Sequence, residues 1–256
     1  MDLKLKGLKA LVTGGTRGIG LAIAEAFVAE GADVALCSRD AAAVDRTVND
    51  LKQRAAGGVR VTGASVDVAD RNALQTWTRS VAEQFGGLDI VVANVSALSV
   101  ADEIESWKAE FETDMMGTVN LVQAAMPYLE ASKAASIVGI ASVSAREIDF
   151  AAGPYGTFKA AVVHYIQGLA YQLAPKGIRA NTVSPGNTYF AGGIWEHIEQ
   201  NNPKLFADSL ALNPTGRMAR PDEIANAVVF IASPAASFVS GTNLVVDGAL
   251  TRGVQF

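Results

Sequence analysis

Short apolar runs alternate along the chain with longer stretches in which apolar residues recur every three or four positions. The runs ALVTG (10–14), DVALCS (33–38), VRVTGASVD (59–67), LDIVVAN (88–94), ASIVGIAS (135–142), IRANTVS (178–184) and TNLVVDG (242–248) read as strands. Their nearly continuous apolar character is that of strands covered on both faces. Amphipathic stretches lie between them. After the first run, Leu21, Ala24, Phe27 and Val28 repeat at helical spacing and Gly31 closes the helix. This alternation predicts an α/β fold, a doubly wound parallel sheet with helices on both faces and right-handed crossovers. No repeat, low-complexity segment or linker divides the 256 residues, so a single domain is expected. Residues 187–215 interrupt the alternation just past a strand's C-terminal end, where long segments commonly serve as lids over a bound molecule.

Two residue clusters carry chemistry. The first is a glycine-rich turn, Thr13-Gly14-x-x-x-Gly18-x-Gly20, between the first strand and the first helix. Such a turn is either a tight bend or a phosphate cradle in which backbone N–H groups and the positive helix end face a pyrophosphate; its place between strand and amphipathic helix favours the cradle. The second cluster is Ser142 with Tyr155 and Lys159. Tyr155 and Lys159 are four apart, on one face of a helix, and Ser142 ends an apolar run 13 residues before Tyr155. A tyrosine–lysine pair alone is most often an ordinary helix face. Joined to a serine at a strand tip, it has the parts of a proton-transfer site for a carbonyl or secondary alcohol. The serine holds an oxygen on which charge develops, and the tyrosine, whose pKa is ordinarily about 10, gives or takes the proton. An ammonium at about 4 Å in an effective dielectric near 20 is worth about 4 kcal/mol, or about three pKa units, so Lys159 is expected to bring Tyr155 down toward working pH.

Composition narrows the classes. The net charge of −5 comes without a basic block, which argues against nucleic acid as the main partner. A single cysteine, Cys37, allows no internal disulfide and reads as a buried strand residue. His164 and His197 have no metal-ligand spacing, so no metal is expected. No apolar stretch is long enough for a bilayer, and the opening MDLKLKGLK runs directly into the glycine turn, unlike a signal peptide; a cytoplasmic location is expected.

Taken together, the glycine turn, the Ser142, Tyr155 and Lys159 cluster, SVDV (65–68), NTVSPG (181–186) and the closing segment 216–248 resemble a short-chain dehydrogenase/reductase of the common type that includes 3-oxoacyl-ACP reductases. The likeness spans essentially the whole chain. It implies a Rossmann-type seven-stranded sheet in the order 3-2-1-4-5-6-7 and a nicotinamide cofactor that also favours the Tyr155 phenolate. The implied cofactor residues are Gly14, Thr16, Arg17, Gly18, Ile19 and Gly20 in the turn, Ser38 and Arg39 after the second strand, and Asp67 and Val68 after the third. Asn94 follows the fourth strand, and Pro185, Gly186 and Thr188 follow the sixth. Tyr155 and Lys159 reach the nicotinamide ribose, and Ser142, Tyr155 and Lys159 are the implied catalytic set. By the same resemblance, subunits pair through helices 103–131 and 152–174 and through 221–247 into a homotetramer, or at least a dimer.

The chain departs from the family pattern in three places. The Asn-Asn-Ala-Gly after the fourth strand is here Ala93-Asn94-Val95-Ser96. The helical asparagine that helps hold a relay water aligns with Asp114, which is nearly isosteric and is expected to position the same water; Asn120 lies too far along to replace it. Phe190 stands where a threonine often contacts the carboxamide, leaving Thr188 nearby. The second strand ends Cys37-Ser38-Arg39 without the acidic anchor usual for NAD, and Arg17 adds a second guanidinium suited to a 2′-phosphate. NADP(H) is therefore expected over NAD(H), with a ketone or secondary alcohol as substrate. Tyr189, Phe190, Ile194, Trp195, Leu205, Phe206 and Leu210 make an apolar lid hinged at Gly192-Gly193, which predicts substrates with apolar bulk over sugars; Arg146 and Glu147 are candidate charged contacts. A cofactor-binding regulatory protein, and epimerase or dehydratase chemistry on the same scaffold, remain open alternatives at this point.

Overall fold

A computed structural model describes residues 1–254. Seven strands form one parallel sheet in the order β3-β2-β1-β4-β5-β6-β7. They are β1 (Lys9–Thr13), β2 (Asp33–Ser38), β3 (Val61–Ser65), β4 (Ile90–Ala93), β5 (Ser136–Ile140), β6 (Arg179–Pro185) and β7 (Asn243–Val246). The anticipated fold class and strand order both hold. The third strand is shorter at both ends than its run 59–67, and Arg60 just before it bonds the Asp33 carboxylate through Nε at 2.9 Å.

Residue alternation along each strand sends side chains into two separate cores. Ala10, Val12, Val34, Leu36, Val92 and Val138 pack on one face against α1 (Gly18–Ala29), α2 (Ala41–Arg54) and α9 (Pro221–Ala232). Leu11, Ala35, Cys37, Val91 and Ile137 pack on the other face, against α3 (Arg71–Phe85), α5 (Gly117–Leu129) and α6 (Pro154–Leu173). Local chemistry sets the helix starts. The Asp40 carboxylate accepts from the Ala43 N–H, Asp70 accepts from Asn72 and Ala73, and Pro154 and Pro221 sit in the first turns of α6 and α9.

Two regions differ from their sequence reading. The segment expected as one helix over 103–131 is α4 (Ile104–Glu110), a π-helical stretch (Phe111–Met116) and then α5. π-helical turns inside helices are often found at functional sites. Residues 187–215 contain α7 (Ile194–Asn201) and α8 (Pro203–Ala211). Trp195, Ile198 and Met218, with Tyr189, Leu205, Phe206 and Leu210, give this segment a small core of its own.

Candidate active site

The strand order reverses between β1 and β4, and the chain opens there into a cleft of about 520 Å³ along the C-terminal ends of the strands. The glycine turn forms one wall. A Cβ on Gly20 would stand 2.1 Å from the Gly14 carbonyl oxygen, and Gly14 and Gly18 have φ of +67° and +53°, so turn and helix meet only with glycine there. Asn94 locks the turn to β4: its Nδ2 donates to the carbonyls of Thr13 (3.0 Å) and Gly14 (3.2 Å). Its backbone N–H donates to Thr13 Oγ1 at 3.1 Å. α1 begins at this wall with no side-chain cap. Uncapped N–H groups at a glycine-lined helix start suit the pyrophosphate of a dinucleotide.

Of the sequence-derived cofactor residues, Gly14, Thr16, Arg17, Ile19, Gly20, Ser38, Arg39, Asp67, Val68, Asn94, Pro185, Gly186 and Thr188 line the cleft together with Ser142, Tyr155 and Lys159. Gly18 instead lies under the Phe190 ring, which a Cβ there would meet at 2.4 Å. Asp40 follows Arg39, but its carboxylate is engaged in capping α2; Arg17 and Arg39 line that end of the cleft together with the Asp67 carboxylate. Arg17 also reaches across the cleft, its Nη1 donating to the Gly192 carbonyl at 3.4 Å. Thr188 is buried, and its hydroxyl donates to the Gly186 carbonyl at 3.0 Å. Cys37 is buried in β2, and burial pushes its thiol up to about 12, in keeping with a structural role.

The other end of the cleft holds the Ser142, Tyr155 and Lys159 cluster. Ser142 extends β5 and caps the 3₁₀ turn Val143–Ala145, its Oγ accepting from the Ser144 N–H at 3.1 Å. Tyr155 and Lys159 lie one turn apart near the start of α6, with Lys159 Nζ 5.6 Å from the Tyr155 ring centre. Lys159 is 3% exposed; its Nζ donates to the Ile140 carbonyl at 3.1 Å and lies 2.8 Å from Asp114 Oδ1. Asp114 thus reaches the lysine directly, as an ion pair, where the sequence reading put a bridging water. Its other oxygen accepts from the Ala97 N–H at 2.8 Å. Asn120 is buried in α5, outside the cleft lining.

Charge in this pocket runs against one expectation. Tyr155 titrates above its ordinary value, not below it. Burial is the largest cause; Lys159 and Ser142 pull the phenol down, while the Asp114 and Glu110 carboxyls push it up. The sequence reading counted the ammonium and a bound cationic nicotinamide, and not the burial of the phenol or the carboxyls that face the lysine. Burial opposes the charge on Lys159, yet Asp114 and Tyr155 outweigh that cost and its pKa rises. Glu110 escaped the sequence reading altogether. It lies one turn before Asp114 and is fully buried, and its Oε1 accepts from the Ser99 N–H at 2.6 Å. Glu103, Glu105 and Glu112 surround it in sequence, so nothing in the residue pattern singles it out.

The segment 187–215 gives the cleft only part of the apolar surface foreseen. Phe190, Ile194 and Trp195 line it, with Gly192 and Gly193. Tyr189, Leu205, Phe206 and Leu210 turn instead into the segment's own core, because two short helices must bury an apolar face on each other. Trp195 packs edge-on against Phe150, with centroids 5.6 Å apart. Arg146 and Glu147 lie outside the lining; Ser144 and Asp149 are in it, joined by a 2.6 Å hydrogen bond.

A doubly wound sheet, an uncapped glycine turn at its switch point and a Ser-Tyr-Lys cluster at the strand ends define a protein of the dinucleotide-binding α/β class. A family model described as Enoyl-(Acyl carrier protein) reductase matches residues 14–251. Isoepoxydon dehydrogenase patN of Penicillium expansum is 42% identical over 256 residues, covering 98% of each chain. L-Sorbose reductase of Gluconobacter frateurii, solved with NADPH and L-sorbose, superposes with a TM-score of 0.87 at 30% identity, covering 99% of this chain and all of that one. A 7α-hydroxysteroid dehydrogenase solved with NADH and 7-oxo glycochenodeoxycholic acid superposes at 0.89 with 28% identity, covering 97% of this chain and 96% of that one. The chain belongs to the short-chain dehydrogenase/reductase family and is an oxidoreductase of that kind.

Proposed function

We propose that the protein is an NADP(H)-dependent reductase of a ketone, or dehydrogenase of the corresponding secondary alcohol, with Tyr155 as general acid and base. The observation that carries this reading is the convergence of Ser142, Tyr155 and Lys159 at one end of a cleft whose other end is a glycine turn. When bound, the cofactor supplies the hydride from nicotinamide C4. Gly14, Thr16, Ile19 and Gly20 would hold its pyrophosphate, Arg17 and Arg39 its 2′-phosphate, and Asp67 and Val68 its adenine. Ser142 orients the carbonyl oxygen. Tyr155 delivers the proton to that oxygen; a phenol, ordinarily titrating at about 10, is protonated at neutral pH, the form reduction needs. Lys159 stabilises the phenolate left behind.

Its similar proteins act on substrates as unlike as a sugar and a steroid, so the substrate class rests on this cleft. Trp195, Ile194 and Phe150 offer an apolar wall, while Ser144 and Asp149 offer a polar edge. This favours a ketone with sizeable apolar or aromatic substituents over a small polar one such as a sugar, with residues 187–215 as its cover. Oxidation of NADPH over a panel of ketones is expected to show turnover that rises with apolar size. No turnover with any ketone would point to epimerase, dehydratase or regulatory use of the fold. We also propose a homotetramer or dimer, supported by Phe111 (46% exposed) and Tyr171 (88% exposed) on the helices expected to pair.

A further inference from the structure

Among the described residues, Glu110 is the carboxyl that combines full burial with an oxygen lacking any partner, and its neighbour one turn on, Asp114, is a second buried carboxyl. Their arrangement is matched. One oxygen of each accepts a backbone N–H from the same loop, Ala97 for Asp114 (2.8 Å) and Ser99 for Glu110 (2.6 Å). The other oxygen of Asp114, Oδ1, lies 2.8 Å from the Lys159 ammonium, whose three N–H groups also serve the Ile140 carbonyl at 3.1 Å. The other oxygen of Glu110, Oε2, has no hydrogen-bond donor. Two buried carboxyls therefore face one ammonium. Both cannot carry charge without a net negative charge sealed from water, and an unpartnered buried oxygen is costly in itself. A single hydrogen between them removes both costs.

We propose that Glu110 is protonated and shares its carboxyl hydrogen with Asp114, so that a two-carboxyl, one-proton pair behind Lys159 acts as a positioning device for the charge at Tyr155. This rests on the reading of Tyr155 as the acid and base. With the proton in place, the charges of Lys159 and Asp114 cancel. When Glu110 gives up its proton, the buried set acquires one net negative charge and the Tyr155 phenolate is harder to form. The groups that face Glu110 are Asp114, Lys159 and Tyr155; the 96–99 loop above it brings no ionisable side chain. Burial first, then Asp114, pushes Glu110 up to about 8, so the switch falls within the working range of an enzyme.

The sign of the stability effect follows. The folded protein keeps a proton that the unfolded chain, at the ordinary 4.5, has released, so stability declines as pH rises from there to about 8 and then levels off. Glu110→Gln keeps the donor to Asp114 and cannot ionise. Three readouts test the proposal. The infrared carbonyl band of a protonated carboxylic acid should be present in the wild-type protein at neutral pH, fade as pH passes about 8, and be missing from Glu110→Gln. The alkaline inflexion of kcat/KM for alcohol oxidation should move to lower pH in Glu110→Gln, by on the order of one unit. The decline of thermal stability between the ordinary glutamate pKa and about 8 should be smaller in the variant. A purely structural role would lower kcat at every pH and leave the inflexion in place. Absence of the infrared band from the wild-type protein at neutral pH, a measurement that needs neither variant nor turnover, overturns the proposal. Its presence together with an inactive Tyr155 would overturn only the catalytic reading.

Discussion

The two ends of the cleft are built by different means. At the nucleotide end, backbone does the work: a glycine turn with positive φ at Gly14 and Gly18 and a Gly20 whose Cβ position is filled by the Gly14 carbonyl, an uncapped helix start, and Asn94 holding the turn in place. At the catalytic end, the work falls to buried charge. Lys159, Asp114 and Glu110 are each 3% exposed or less and sit on two helices and a π-helical turn that must hold them together. Backbone constraints are absolute and leave a pattern of glycines. A buried charge network depends on how burial and neighbours divide one proton, which no residue spacing reveals.

The largest effect should come from breaking the backbone end. Gly20→Ala drives a methyl to 2.1 Å from the Gly14 carbonyl, where no flexible side chain can give way. Loss of stability of about 1–3 kcal/mol is expected, as for overpacked sites, together with loss of NADPH binding. Thermal denaturation and fluorescence titration check it. Next is Arg39→Ala. A charge-assisted hydrogen bond is worth about 1.5–3 kcal/mol, so NADPH affinity should fall about ten- to a hundred-fold with NADH nearly unchanged. Equal losses for both cofactors would remove the reading of Arg17 and Arg39 as a 2′-phosphate site. The smallest effect belongs to the lid. Trp195→Ala should lower kcat/KM for bulky apolar ketones by about tenfold and leave the smallest ketones little affected, since each buried methylene contributes about 0.8 kcal/mol. A uniform loss across the series would mean that Trp195 only folds its own segment.

What could be read without coordinates follows the same division. Strand runs, helix periodicity and the glycine turn are local and repetitive; they led to the fold class, and the family resemblance they carry led to the sheet order and to site residues of which nearly all line the cleft. Gly18 was named with them but stays out of the lining, because Phe190, far along the chain, covers it. The lid was misjudged for a similar reason: apolar residues at 189–210 look alike in sequence, but only folding decides which face the cleft and which face each other. The direction of the Tyr155 shift was missed because burial of the phenol, and then the carboxyls beside the lysine, cannot be read from residue spacing; Glu110 was missed because an acidic residue on a helix ordinarily faces solvent. The π-helical stretch Phe111–Met116 has no simple sequence mark; it follows Glu110, the last residue of α4, and itself carries Asp114.

The most direct test of the account is the turnover of Tyr155→Phe. This change removes the proton donor and keeps the ring beside Lys159. NADPH-dependent ketone reduction should fall at least about 100-fold in kcat, with NADPH affinity nearly intact. Near-normal kcat in this variant would mean that another group delivers the proton, and the reading of Ser142, Tyr155 and Lys159 as the catalytic set would be wrong.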